Sequence, residues 1–530
     1  MYLLLPLFLQ GLFPSRGYAR SIPSTKICCA DVPAPRVPGA VILSITREEK
    51  RNLSISAVPP TLSQNVTNLD VCEITVTLQH KGSNDEVNVQ TWLPLHGWNR
   101  RFLGVGGGAW AAGLGAIDLA LPASQGYAVS STDAGLSGSP LTPAAWALKA
   151  DGTVNYDLLE NFASRSIHDM AIVGKSVTAD FYGRPARSSF WNGCSTGGRQ
   201  GIQAAGKYPN DFNGILAGSP AIYWTEYVVA ELWPQVVMKE EGYYPTNCEL
   251  DGIVKLAVAS CDKRDKIRDG VIDDPFQCNF DPFRVIGKKV ECDEGQIAIT
   301  HQAASIVRKI WDGPTSPSGE KLWYGLPIGA SLVALANTTS TISGTNGQGV
   351  SFGVADAWAR YFVKADPDFD TASLDSQGLT NLFYESKTKF GSIMDSSNPD
   401  LRPFKKAGGK LIVWHGLSDQ LIFPQDSIRY LKEVEKVMGG EIRTRDFFRL
   451  FLAPGVDHCG YGPTSGAVPS SPFESLVSWV EKDHIPAALE AETLANASTH
   501  FTRKICSYPL VAKYRGYGDV SVSKSYTCVK

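Results

Sequence analysis

The chain has 530 residues, enough for one extensive core or two, with a formal net charge of -3 and 19% charged residues. No run of Lys and Arg is interleaved with aromatics, which argues against a nucleic-acid surface. Beyond the N-terminus no stretch approaches ~18 consecutive apolar residues, which argues against a membrane span.

The first residues, MYLLLPLFLQGLF, form a short apolar run followed by Gly17 and Ala19 in GYAR. This pattern predicts a signal peptide over residues 1–19, with a buried or membrane-anchoring N-terminus as the competing reading. Eleven cysteines and four N-x-S/T sequons, at Asn52, Asn65, Asn337 and Asn496, agree with export, where disulfides persist and glycans attach. The expectation is a secreted, glycosylated protein, with retention in the secretory pathway or vacuole as the alternative.

Between residues 70 and 135 the segments CEITVTLQH, EVNVQTWLPL, RFLGVGGG and YAVSSTDAG read as strands, the last two running into glycine-rich or acidic loops. Residues 157–180 carry apolar side chains at helical spacing, SSFWNG is a short strand, TGGRQGIQAAGKYP a helix, and NGILAGSPA a strand and turn. This alternation predicts an α/β domain with a largely parallel sheet. It stops near residue 223 and resumes near 400 with KLIVWHGLSD, the helix DSIRYLKEVEKVMGG and the strand TRDFFRLFLAPG. The expected organisation is residues 20–222 and 400–530 as two parts of one catalytic domain, with 223–399 inserted as a lid. NTTSTISGTNGQG reads as a surface loop within it, with disorder as the bland alternative.

Three strand ends carry the chemistry. Ser195 stands in NGCSTGGR between a strand and a helix, flanked by Gly193 and Gly197, the context of a nucleophile elbow. Alone, G-x-S-x-G is weak and an ordinary tight turn competes with it. Asp419 ends KLIVWHGLSD and His458 ends FRLFLAPGVDH, so the chain order is Ser, Asp, His, that of the α/β-hydrolase fold. Asp457 is a rival acid, adjacent to His458 and therefore pointing away from it in extended backbone. His415 is the second-choice base. The backbone N–H of Thr196 is the expected first oxyanion donor, and Gly107, in the Gly106-Gly107-Gly108 loop, the expected second, with a plain turn as the competing reading of that loop. If Ser195 and His458 meet, their neighbours Cys194 and Cys459 come close enough to bridge. The alternative, Cys194 as nucleophile, needs a reduced thiol, against which export argues.

With CS, D and HC in this order, the sequence resembles the tannase and feruloyl esterase family of secreted serine esterases, from CEITVTLQ to the C-terminal YTCVK. GCSTGGRQG carries the resemblance most specifically, supported by KLIVWHGLSD and GVDHCGYG. The resemblance implies an α/β-hydrolase fold with a large lid, the triad Ser195, Asp419 and His458, and the Cys194–Cys459 bridge. It also implies a structural calcium ion in the stretch CDKRDKIRDGV, held by the side chains of Asp262, Asp265 and Asp269 and the carbonyls of Ile267 and Val271. Read by itself, that stretch favours a solvated acidic loop slightly over a metal site, and it lacks the bidentate Glu of an EF-hand. Implied bridges are Cys261–Cys278, Cys506–Cys528, and Cys72 with either Cys28 or Cys29. Where the family has further cysteines this chain reads AWAAG and IAIT, so Cys248 becomes the candidate partner of Cys292.

The expected function is hydrolysis of aromatic esters, feruloyl (hydroxycinnamoyl) or galloyl, small or linked to polysaccharide. A carboxylesterase or lactone hydrolase for a small pathway metabolite is the alternative, and a catalytically idle binding protein the reading from another class.

Overall fold

The computed structural model describes residues 26–59, 62, 64–293, 295–339, 344, 347–462, 464–495, 497 and 499–530. The predicted signal peptide and Asn496 lie outside the described residues.

Nine strands make the main sheet: β1 Ala40–Ile55, β2 Val66–His80, β3 Val87–Pro94, β4 Arg101–Val105, β5 Ala128–Thr132, β6 Ser188–Cys194, β7 Gly214–Gly218, β8 Lys410–Gly416 and β9 Phe448–Ala453. Their order is β1-β2-β3-β5-β4-β6-β7-β8-β9. The β1–β2, β2–β3 and β3–β5 pairs are antiparallel, and all pairs from β5 to β9 are parallel. The half that bears the motifs is thus parallel as expected, whereas the N-terminal part is a meander. Strand β1 escaped the sequence reading because its TREEKRN core alternates no clear apolar set. It is an edge strand on which charged side chains are exposed, a common way to block edge-to-edge association.

Side chains alternate between the two faces with the strand period of two. Phe102 of β4, Trp191 of β6, and Leu411 and Val413 of β8 enter one core, while Leu103, Phe190, Ile412 and Trp414 enter the other. Helices cover both faces: α1 (Ser166–Tyr182) lies against β3 and β5, α2 (Thr196–Lys207) against β6 and β7, and α4 (Pro472–Lys482) against β7 and β8. Helix α3 (Pro424–Met438) packs beneath β8 and β9. The predicted helix over 157–180 is broken by a π-turn at Asn161–Arg165.

The strand–helix alternation halts after β7 and resumes at β8. The intervening residues are mainly helical, with Ser376–Met394 packed on Trp224–Ala230. A chain of aromatic rings joins this stretch to the sheet: Trp110 lies 5.2 Å from Trp224 and 5.3 Å from Phe362, and Phe162 lies 5.8 Å from Trp224. Two small C-terminal sheets complete the fold. Among the described residues no helix is long and apolar enough to cross a membrane.

Candidate active site

Ser195 stands between β6 and α2 with φ 63° and ψ −122°, a conformation that a non-glycine residue holds only when its surroundings impose it. Its own amide donates to Gly218 O at 3.0 Å, and its carbonyl accepts from Arg199 N at 2.9 Å. The turn is so tight that a Cβ on Gly193 would sit 2.6 Å from the Gly197 backbone, which is why glycine is required there.

The glycine-rich loop after β4 is locked onto the first turn of α2. Gly197 N donates to Gly107 O (2.9 Å), Thr196 Oγ1 to Ala109 O (2.7 Å), and Gln200 Nε2 to Ala112 O (3.1 Å). The loop therefore lies beside Ser195, but its free amide is not the expected one. The Gly107 amide is spent on Gln200 Oε1 at 3.1 Å, so it cannot serve an oxyanion. The amides of Thr196 and Gly108 carry no hydrogen bond among the described residues, and the Cβ direction of Gly108 opens into empty space. Of the expected donors the Thr196 amide is free, and in the loop the free amide is that of Gly108 instead of Gly107.

Asp419 and His458 follow β8 and β9. His458 Nδ1 donates to Asp419 Oδ2 at 2.8 Å, which leaves Nε2 as the basic nitrogen. Asp419 Oδ1 accepts from the amides of Leu421 and Ile422, both at 2.9 Å. Burial alone would raise this carboxyl, but the facing imidazoles of His458 and His415 and their hydrogen bonds hold it well below the usual carboxylate range. Two buried neighbours behave oppositely: burial pushes Glu231 and Asp426 well above that range.

The rival residues have other duties. His415 is fully buried, with Nδ1 on Ser427 Oγ at 2.8 Å and Nε2 on Ile422 O at 3.0 Å and Asp419 Oδ2 at 3.2 Å. It buttresses the acid and cannot reach a substrate. Asp457 makes no hydrogen bond to His458, and burial with the nearby Asp419 charge pushes its carboxyl up to about 6.

Cys194 and Cys459 are bridged, with Cα atoms 6.1 Å apart across 265 residues of sequence, so the residues before the serine and after the histidine are tied together. The same bond removes Cys194 as a thiol nucleophile. No hydrogen bond joins Ser195 to His458 in this structure, and nucleophile–base contacts of this kind commonly tighten only on substrate. The other bridges are Cys29–Cys72, Cys248–Cys292, Cys261–Cys278 and Cys506–Cys528. Cys28 is free and exposed, which decides between the two N-terminal candidates.

Away from the triad, Asp262 Oδ1 accepts from the amides of Asp269 and Gly270, and Asp265 Oδ1 from that of Ile267. Burial and mutual repulsion raise the carboxyls of Asp262 and Asp265, and they carry Asp273, which the sequence reading missed, up to about 7. This donor set suits a hard divalent cation chemically. Among the described residues, however, no three such side chains converge on a single metal-sized point, and Asp269 Oδ2 is paired with Arg503 Nη2 at 2.5 Å. Of the sequons, Asn52 and Asn65 are exposed and Asn337 is half-buried, its side-chain oxygen accepting from Asn247.

Comparison with known proteins agrees with this geometry. The profile described as "Tannase and feruloyl esterase" matches residues 72–529. A probable feruloyl esterase of Arthroderma benhamiae is 48% identical over 506 residues, covering 95% of this chain and 93% of that protein. A tannase of Aspergillus oryzae is 26% identical, covering 90% of each chain. Among solved structures, the tannin acyl hydrolase of Aspergillus niger superposes with a TM-score of 0.84 at 26% identity, covering 94% of each chain. Feruloyl esterase B of Aspergillus oryzae superposes with a TM-score of 0.77 at 25% identity, covering 93% of this chain and 97% of that one. These two neighbours and the strand order agree on an α/β-hydrolase type of fold. The profile match runs from Cys72 within β2 to Val529, one residue past Cys528, and so by descent as well as by geometry this chain belongs to the tannase and feruloyl esterase family, and is a carboxylic ester hydrolase.

Proposed function

We propose that the chain cleaves esters of aromatic acids, of the feruloyl and galloyl class, through an acyl-enzyme on Ser195. The observation that carries this reading is the tie between the strained serine and the Asp419–His458 pair through the Cys194–Cys459 bridge. His458 Nε2 takes the hydroxyl proton as Ser195 attacks the ester carbonyl, and Asp419 orients the ring and stabilises its charged form. The amides of Thr196 and Gly108 receive the oxyanion. His458 then protonates the departing alkoxide, and water, activated by the same nitrogen, releases the acid.

The helical stretch between β7 and β8 acts as the lid that recognises the acyl ring; its aromatic seam with Trp110 and Phe162 supports this assignment. A structural calcium at Asp262, Asp265 and Asp269 with the carbonyls of Ile267 and Val271 belongs to the same proposal, supported by the turn that brings Asp269 N onto Asp262 Oδ1; to hold the ion the three carboxylates would draw together and Asp269 would leave Arg503. Secretion is supported by the five disulfides, bonds that persist in oxidising compartments.

The test is turnover of methyl ferulate, methyl gallate and a short aliphatic nitrophenyl ester by parent and Ser195→Ala enzyme. Preference for an aromatic ester, lost in the variant, is expected. Turnover of the aliphatic ester alone would transfer the reading to a small-metabolite esterase, and no turnover with no fluorophosphonate labelling would sink it.

A further inference from the structure

Arg199, the last residue of NGCSTGGR, is completely buried, and among the described residues its guanidinium hydrogen-bonds only to carbonyl oxygens and to no carboxylate. Its backbone amide caps the Ser195 carbonyl at 2.9 Å, so the residue sits one turn into α2, directly after the nucleophile. The guanidinium leaves that helix and donates Nη1 to Ala163 O and Nη2 to Phe162 O, both at 2.9 Å. It lies 4.9 Å from the centre of the Phe162 ring and 5.7 Å from that of Trp224. One side chain therefore joins the nucleophile helix, the π-turn and the start of the inserted stretch.

The π-turn explains why an arginine is needed. Widening one helical turn by a residue leaves carbonyls without an intrahelical donor, and such bulges concentrate at functional sites. Here the Ser166 amide and hydroxyl both reach back to Asn161 O, and the planar fork of Arg199 fits the two carbonyls that follow. The turn is held from behind. Asn161 Nδ2 donates to Asp85 Oδ2 at 2.7 Å, Arg165 Nε donates to Asn161 Oδ1 at 2.6 Å, and His80 bridges Asp85 (2.6 Å) and Asp169 (3.0 Å). Burial lowers the guanidinium to about 10, so it stays charged at neutral pH, solvated only by carbonyl dipoles and ring faces.

We propose that Arg199 is a positioning residue for the hydrolysis: by chelating the π-turn it fixes the first turn of α2, and with it the Ser195 hydroxyl and the Thr196 amide. The inference rests on Ser195 being the nucleophile. Displacing reacting groups by about 1 Å costs on the order of 100-fold in rate, whereas the Arg199 side chain, completely buried, touches no substrate itself.

The experiment compares parent, Arg199→Lys, Arg199→Ala and Arg165→Met enzymes by fluorophosphonate labelling rate, kcat, KM and Tm. Arg199→Lys keeps the charge and loses the fork. Its labelling rate and kcat are expected to fall roughly 10- to 100-fold with KM within about threefold of the parent, and added guanidinium should partly restore labelling of Arg199→Ala. Arg165→Met, a change at a half-exposed side chain, keeps the test open should the Arg199 variants fold poorly: labelling slowed at unchanged Tm supports the link. Labelling at the parent rate in any correctly folded Arg199 variant, or in Arg165→Met when only that variant folds, overturns it and leaves Arg199 a stabilising residue. Absence of labelling in the parent enzyme would instead refute the Ser195 assignment.

Discussion

Replacing both Cys194 and Cys459 by alanine removes the bridge without leaving a thiol beside the nucleophile or disturbing the other four disulfides, as a reductant would. The bridge closes a 265-residue separation. In the chain-entropy treatment, closing so long a loop destabilises the unfolded state by about 5 kcal/mol, and the Cys248–Cys292 and Cys261–Cys278 bridges inside the loop shorten its effective length without changing that figure much. The catalytic effect is separate: freed from Cys194, the histidine turn can drift from the elbow, and a drift of about 1 Å costs on the order of 100-fold in kcat. Urea unfolding followed by tryptophan fluorescence reads the first quantity, and steady-state hydrolysis of a methyl ester reads the second. The expected outcome is a loss of several kcal/mol together with a fall in kcat and little change in KM. A double variant that keeps the parent kcat and loses less than about 1 kcal/mol would refute the reasoning, since the hydrogen-bond network would then hold the site alone. An increase in activity would refute it equally, because the bridge would then restrain the site rather than hold it in register.

Asp419→Asn should lower kcat by about 10⁴-fold, as expected when the imidazole loses its orienting carboxylate. The folded-state carboxyl is depressed, so its contribution to stability is complete above the ordinary carboxylate range, near pH 4, and is lost as pH falls through the lower folded value. The stability gap between parent and Asp419→Asn should therefore stay constant from neutral pH down to that range and close only in stronger acid; a gap closing between pH 6 and 8 would contradict the assignment. Gly107→Ala should fold poorly, because the added Cβ would lie 2.0 Å from Ala111 O, while Gly108→Ala, facing open space, should keep kcat within about threefold of the parent; equal tolerance of the two would overturn the loop geometry. Chelation with EDTA should lower Tm by several degrees in the parent and much less in Asp265→Asn, because a cation bound only by the folded state stabilises it by mass action; an unchanged parent Tm removes the calcium assignment.

What the sequence determined by itself was local. Strand periodicity located β2 to β9, glycine spacing marked the elbow at Ser195, and the order of strand ends singled out Asp419 and His458, because these signals are written within a few residues of each other. The pairing of Cys194 with Cys459 followed from the same order, since two residues that must meet carry their neighbours with them. The choices among near-equals waited for the tertiary structure. Cys29 rather than Cys28 reaches Cys72, His415 backs the acid instead of acting as the base, and the Gly107 amide is taken by Gln200, leaving Gly108. Each of these depends on distances of a few ångströms between segments tens to hundreds of residues apart, which no spacing along the chain encodes. The clearest case is Arg199: in NGCSTGGR it reads as an ordinary helical arginine, and only the fold brings it to the two carbonyls of a π-turn that 157–180, with its regular apolar spacing, gave no sign of containing.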